Sequence, residues 1–142
     1  MIQRIQTIWL LIAATLAFLA LQFPFYIGNK MVDNIATPME LTGRSDGNFF
    51  ALICSVAIAL LSLIAIFMFK QRKTQVRMVI VAFLLSLVNI VLFIMESREF
   101  LPGQGGFHLS SAFVFLIPVF LILAWRGIYK DEKLIKSLDR LR

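Results

Sequence analysis

Ionisable side chains are missing where they would cost most. Four long runs, residues 7–26, 49–69, 76–95 and 108–126, hold no Asp, Glu, Lys, Arg or His at their centres. Proton relays, ion-coupled carriers and cation exporters depend on such intramembrane groups, so this absence argues against all three. The chain has one cysteine, Cys54. It therefore has no intramolecular disulfide, and an isolated cysteine inside an apolar run reads as a small packing residue. Histidine also occurs once, at His108. There is no Gly-rich phosphate loop, no paired-cysteine metal motif and no H-E-x-x-H helix. No cofactor, no metal and no enzymatic activity is expected from what remains.

Charge of any kind is sparse. Charged residues make up 15% of the 142 residues, against about 25% in an ordinary soluble domain. Apolar residues make up 60%, and the mean hydropathy is +0.87. A chain this short has too little interior volume to hide that much apolar surface from water, so lipid is the expected solvent for much of it. The net charge of +6 does not point to nucleic acid, because the cations sit at the ends of the apolar runs, where anionic headgroups would lie.

Each run is about as long as the ~20 residues a helix needs to cross a bilayer. Backbone groups in lipid must be satisfied within their own segment, so all four are expected to be helices. The first, preceded by Arg4, also resembles a secretory signal. It is too long for a signal h-region, however, and Phe23-Pro24-Phe25 stands where a cleavage site needs small residues. An uncleaved first helix is expected. The connection 27–48 is rich in the turn formers Asn29, Asp33, Asn34, Pro38, Gly43, Asp46 and Gly47. Its pieces Lys30–Val32 and Met39–Thr42 fit a short hairpin and a helical turn equally well. Pro102 to Gly106 reads as a turn between spans three and four, and Pro118 as a tolerated kink in the fourth.

The densest charge before the C-terminal tail is Lys70, Arg72, Lys73 and Arg77, between spans two and three. Alternation of spans groups this run with Arg4 and with the tail cations Arg126, Lys130, Lys133, Lys136, Arg140 and Arg142. That makes eleven of the 14 cations on one side, against Lys30, Arg44 and Arg98 on the other. The positive-inside rule puts the richer side, with both termini, in the cytoplasm. The tail, 128–142, is periodic: Leu134, Ile135, Leu138 and Leu141 share one stripe, away from Lys133, Lys136 and Arg140. The expected fold is all-α: a transmembrane domain over 1–127 forming an antiparallel four-helix bundle, then a cytoplasmic amphipathic helix.

Small residues recur at close spacing. Ala13, Ala17 and Ala20 mark span one, and Ala51, Ser55, Ala59 and Ser62 mark span two. Such ridges let helix backbones approach, so these two spans are expected to touch along them. Ser86 and Asn89 share a face of span three and read as interhelical hydrogen-bonding groups in preference to steps on a substrate path. Glu96, Glu99 and His108 share one short connection. A metal or acid–base site there is chemically conceivable, but their positions at helix ends explain them without it.

Three blocks, Met1 to Leu11 (MIQRIQTIWLL), Phe69 to Arg77 (FKQRKTQVR) and Tyr129 to Arg142 (YKDEKLIKSLDRLR), separated by apolar spans, resemble a family of small bacterial inner-membrane proteins catalogued as a domain of unknown function. The resemblance implies a bacterial four-span protein and carries no activity with it. The expected role is an inner-membrane structural or accessory subunit. Its contacts would be Lys70, Arg72, Lys73, Arg77, Lys133, Leu134, Ile135, Lys136, Leu138, Arg140 and Leu141. Its partners would be anionic headgroups, a membrane protein or a second copy of itself, and not nucleic acid. The alternative is a small transporter, channel or lipid-handling protein, resting on Ser86, Asn89 and the Pro118 kink.

Overall fold

The computed structural model describes residues 3–43 and 49–139. In chain order it has α1 (Gln3–Gln22), β1 (Tyr26–Val32), β2 (Ile35–Leu41), α2 (Phe49–Phe67), α3 (Arg72–Ser97), β3 (Gly105–Phe107) and α4 (Ser111–Asp139). All four helices are long and apolar enough to cross a membrane. Neighbours pack in a ring: α1 on α2, α2 on α3, α3 on α4, and α4 back on α1.

Each helix has a buried stripe whose gaps alternate between four and three residues. The stripes are Gln6, Leu10, Ala13, Ala17 and Ala20 on α1, and Ala51, Ser55, Ile58, Ser62 and Ala65 on α2. On α3 they are Gln75, Val79, Ala82, Ser86, Asn89 and Phe93, and on α4 Ile117, Leu121, Ala124, Ile128 and Asp131. A 3.5-residue spacing keeps one seam facing its neighbours when helices wind left-handedly around each other. Alanine and serine dominate the seams of α1 and α2, while Leu11, Phe18, Leu60, Ile64, Leu84 and Val91 face outward. Small residues inside and large apolar residues outside suit packing without a hydrophobic driving force between helices.

The all-α expectation is corrected at one end of the bundle, where a three-stranded antiparallel sheet in the order β2-β1-β3 forms a cap. Of the two readings left open for 27–48, the hairpin is the one formed. Asp33 and Asn34 both have positive φ, 50° and 64°, as the two central residues of a type I′ hairpin turn require, and Asp and Asn tolerate this conformation. The third strand comes from the connection expected to be only a turn. Tyr26, Ile27 and Gly28 pair with Phe107, Gly106 and Gly105. The Gly28–Gly105 pair is a close approach: a Cβ on Gly105 would fall 2.6 Å from the Tyr26 ring.

Helix limits also differ from the expected spans. The first helix ends at Gln22 rather than 26, because Pro24 disfavours helix in the residue before it. This releases Phe25 to fold back into the bundle. Helix α2 stops at Phe67, and α3 starts at Arg72 and runs to Ser97, so Arg72, Lys73 and Arg77 lie on a helix and only 68–71 connect. Helix α4 runs from Ser111 past 127 as one continuous helix to Asp139, with Pro118 inside it; continuation of the fourth span into the tail is one of the two expected courses. Hydropathy marks the lipid-soluble part of a helix, whereas Lys, Arg and Gln are good helix formers and extend it at either end.

Candidate functional site

Two ends of the bundle carry polar chemistry, and they are built differently. At the sheet end Phe25 is the plug. It is buried, its N–H donates to Leu41 O at 2.7 Å, and its carbonyl accepts from His108 N at 3.1 Å. Its ring centroid lies 4.8 Å from Phe93, 5.5 Å from Phe107 and 5.7 Å from Phe115. Around it Lys30 pairs with Glu99, and Asn29 Nδ2 donates to Gln104 Oε1 at 3.1 Å. His108 Nδ1 lies 2.5 Å from Ser110 Oγ, which donates to Pro24 O at 2.7 Å. Glu99 and His108, considered together in the sequence, are thus engaged with different partners. Among the described residues no group of three or more His, Cys, Asp and Glu side chains is placed to hold a metal ion.

The opposite end, here the basic end, is where the buried stripes finish, and three of them finish on polar residues: Gln6, Gln75 and Asp131. Gln6 Nε2 on α1 donates to Asp131 Oδ2 on α4. Gly127, one turn before Asp131, makes room for this: a Cβ there would meet Gln6 Cγ at 2.9 Å. Gln75 Nε2 on α3 donates to Ala65 O at 2.9 Å. That carbonyl belongs to the last turn of α2, where backbone acceptors have no helical partner, so Gln75 caps its neighbour. Two polar contacts thus form a rung at this end, one joining α1 to α4 and the other α3 to α2.

The rung is incompletely satisfied. Asp131 Oδ1 and Arg72 Nη1 are both out of solvent without a hydrogen-bond partner. Beside them a cavity of about 490 Å³ is lined by Gln6, Thr7, Ile8, Ile66, Phe69, Arg72 and Gln75. Four of these seven residues are polar, three are apolar and none is acidic, and most of the wall surface is apolar. Its donors include a guanidinium, which can hold an anion; nothing in the wall offers a nucleophile paired with a base.

Of the residues singled out in the sequence, Ala13, Ala17, Ala20, Ala51, Ser55, Ala59, Ser62, Ser86 and Asn89 are all buried. Asn89 Nδ2 donates across to Ser55 Oγ at 3.0 Å, while Ser86 Oγ donates to Phe83 O of its own helix at 2.6 Å. Lys70, Lys73, Arg77, Lys133, Leu134 and Ile135 are exposed, and Arg72 is half-buried. Arg140 and Leu141 lie outside the described residues, as do the side chains of Arg4, Lys136 and Leu138. Sequence reasoning passed over Gln6, Gln75, Gly127 and Asp131. The signal was present: each of the three polar residues extends the alternating four-and-three spacing of an apolar stripe by one step.

The sequence pattern of the family described as domain of unknown function DUF4293 matches residues 2–141. The chain belongs to this family. No curated protein and no solved structure matches it.

Proposed function

We propose that this member of the DUF4293 family is a small multi-pass inner-membrane protein. In this reading it acts as a structural or accessory subunit and binds a partner protein or membrane complex through its basic end. The observation that carries the reading is the length of α4. Its 29 residues make about 43 Å of helix, against a hydrocarbon core about 30 Å thick. Roughly 13 Å is left over, and that extension carries Lys133, Leu134 and Ile135, all exposed. Exposed apolar side chains beside cations form a surface that a partner helix can cover.

Membrane insertion is supported by the outward-facing large apolar residues. It is also supported by exposed Trp125 and Tyr129 next to Arg126 and Lys130, a composition typical of a membrane–water interface. The eleven cations that the alternation of spans in the sequence groups on this side support a cytoplasmic orientation for the basic end. A transport reading has less support, because Ser86 and Asn89 are hydrogen-bonded inside the packed bundle and the basic-end cavity is lined by other residues.

Purification from native membranes in mild detergent tests the proposal. The full chain is expected to bring down a stoichiometric partner, and a chain lacking 133–142 to lose it. Partner-free monomer from both chains would remove the accessory-subunit reading.

A further inference from the structure

The cavity at the basic end joins a cationic surface to an apolar one. One wall presents Arg72, whose Nη1 is buried and unpartnered. A buried charged donor without an acceptor costs more than a neutral one, so an acceptor from outside the chain is the economical complement. The other wall is Ile8, Ile66 and Phe69, and Ile8 and Phe69 are about half exposed. A free inorganic anion would gain nothing from them. The site also lies at the start of α3, which has no side-chain cap and no acid in its first turn, so the helix dipole adds to the attraction for an anion. Lys70 and Lys73, next in sequence to the lining residues Phe69 and Arg72, are exposed.

We infer that this cavity holds one anionic phospholipid, its phosphate on Arg72 and the upper part of an acyl chain against Ile8, Ile66 and Phe69. Depth agrees with this. The 26 residues of α3 span about 39 Å, longer than the ~30 Å hydrocarbon core and just inside the ~40–45 Å that includes headgroups. Arg72, its first residue, then stands among the phosphates. A guanidinium gives phosphate two parallel hydrogen bonds, which an ammonium cannot.

This inference rests on the reading of the four helices as membrane spans, and the two fail separately. If the protein leaves native membranes in an alkaline wash, that reading falls. The lipid site is tested by native mass spectrometry of the full chain, released from nanodiscs of phosphatidylglycerol and phosphatidylcholine. Wild type is expected to retain one phosphatidylglycerol in preference to phosphatidylcholine, and excess inorganic phosphate should not displace it. Arg72→Gln should lower retention about tenfold, the effect of losing one charge-assisted bidentate contact. Arg77→Gln removes the same charge from the same helix outside the cavity and should change it less than about twofold by the weak energetics of exposed charges. Ile8→Trp, which fills the cavity but keeps the guanidinium, should also lower retention, and it decides the matter if Arg72→Gln does not fold. Equal losses for Arg72→Gln and Arg77→Gln, equal retention of both lipids, or displacement by inorganic phosphate would overturn the site.

Discussion

The two ends of this bundle solve opposite problems with the same helices. At the sheet end the chain closes on itself. Phe25 fills the bundle mouth, and β1 is hydrogen-bonded on both edges. The connection after α3 is tied down by Leu101 N to Asn29 O at 2.9 Å and Asn29 N to Gln104 O at 3.2 Å. At the basic end no strand among the described residues covers the helices. The four buried side-chain atoms without partners among the described residues are Ser62 Oγ, Asn89 Oδ1, Arg72 Nη1 and Asp131 Oδ1. Two lie at the basic end, two within the bundle and none in the cap. A sealed end stores stability; an end with an unmet donor, an unmet acceptor and a cavity is where a further molecule has something to gain.

The contrast can be broken most sharply at Phe25. Phe25→Ala removes a fully buried ring and should destabilise the protein by about 3–5 kcal/mol, read from denaturant unfolding in detergent. A loss below about 1 kcal/mol would mean that the cap is a loose ornament. Next comes the polar rung. Gln6→Leu leaves the Asp131 carboxylate buried without its donor and should cost about 1–3 kcal/mol. The double variant Gln6→Leu with Asp131→Leu should recover most of that, since removing both partners of a buried hydrogen bond is nearly neutral. No recovery would show that Asp131 has a partner other than Gln6.

Smaller effects sharpen the same picture. Ser55→Ala removes the acceptor of Asn89 Nδ2 in the middle of the bundle, and should cost about 0.6 kcal/mol, the average for such bonds between membrane helices. A cost of several kcal/mol would place the critical polar contact in the bundle rather than at its ends. The smallest effect is expected at the Lys30–Glu99 pair, whose side chains are 30% and 57% exposed. Lys30→Met should change stability by less than about 1 kcal/mol, with the difference shrinking as salt rises. A larger or salt-independent loss would mean that the cap depends on charge as much as on Phe25.

The four helices were legible because each is written in one contiguous apolar run, and hydropathy over about 20 residues is a local quantity. The sheet was legible only in part. The β1–β2 hairpin was one of two readings open for a connection with Asp33-Asn34 at its turn. The three-residue β3 is separated from β1 by two whole helices, so nothing local announces that pairing. The packing residues were partly legible: the alanine and serine ridges of spans one and two show in the sequence, and so does the pairing chemistry of Asn89. The rung was not read. Asp131 sits in a stretch whose other charged residues point to solvent, and its partner Gln6 is 125 positions away.

By itself, then, the sequence determined the number of helices, the solvent they suit and the asymmetry of charge between their ends. Those properties follow from the composition of contiguous segments, and each segment carries them alone. The tertiary structure decided that Phe25 plugs one end, that a Gly–Gly contact draws in a third strand, and that Gln6, Gln75 and Asp131 become one layer. It also decided that Arg72, one of a run of cations, keeps a nitrogen buried beside a cavity. Each of these depends on which residues far apart in the chain are brought within hydrogen-bonding distance, and that is settled by how four helices pack, not by what any one of them contains.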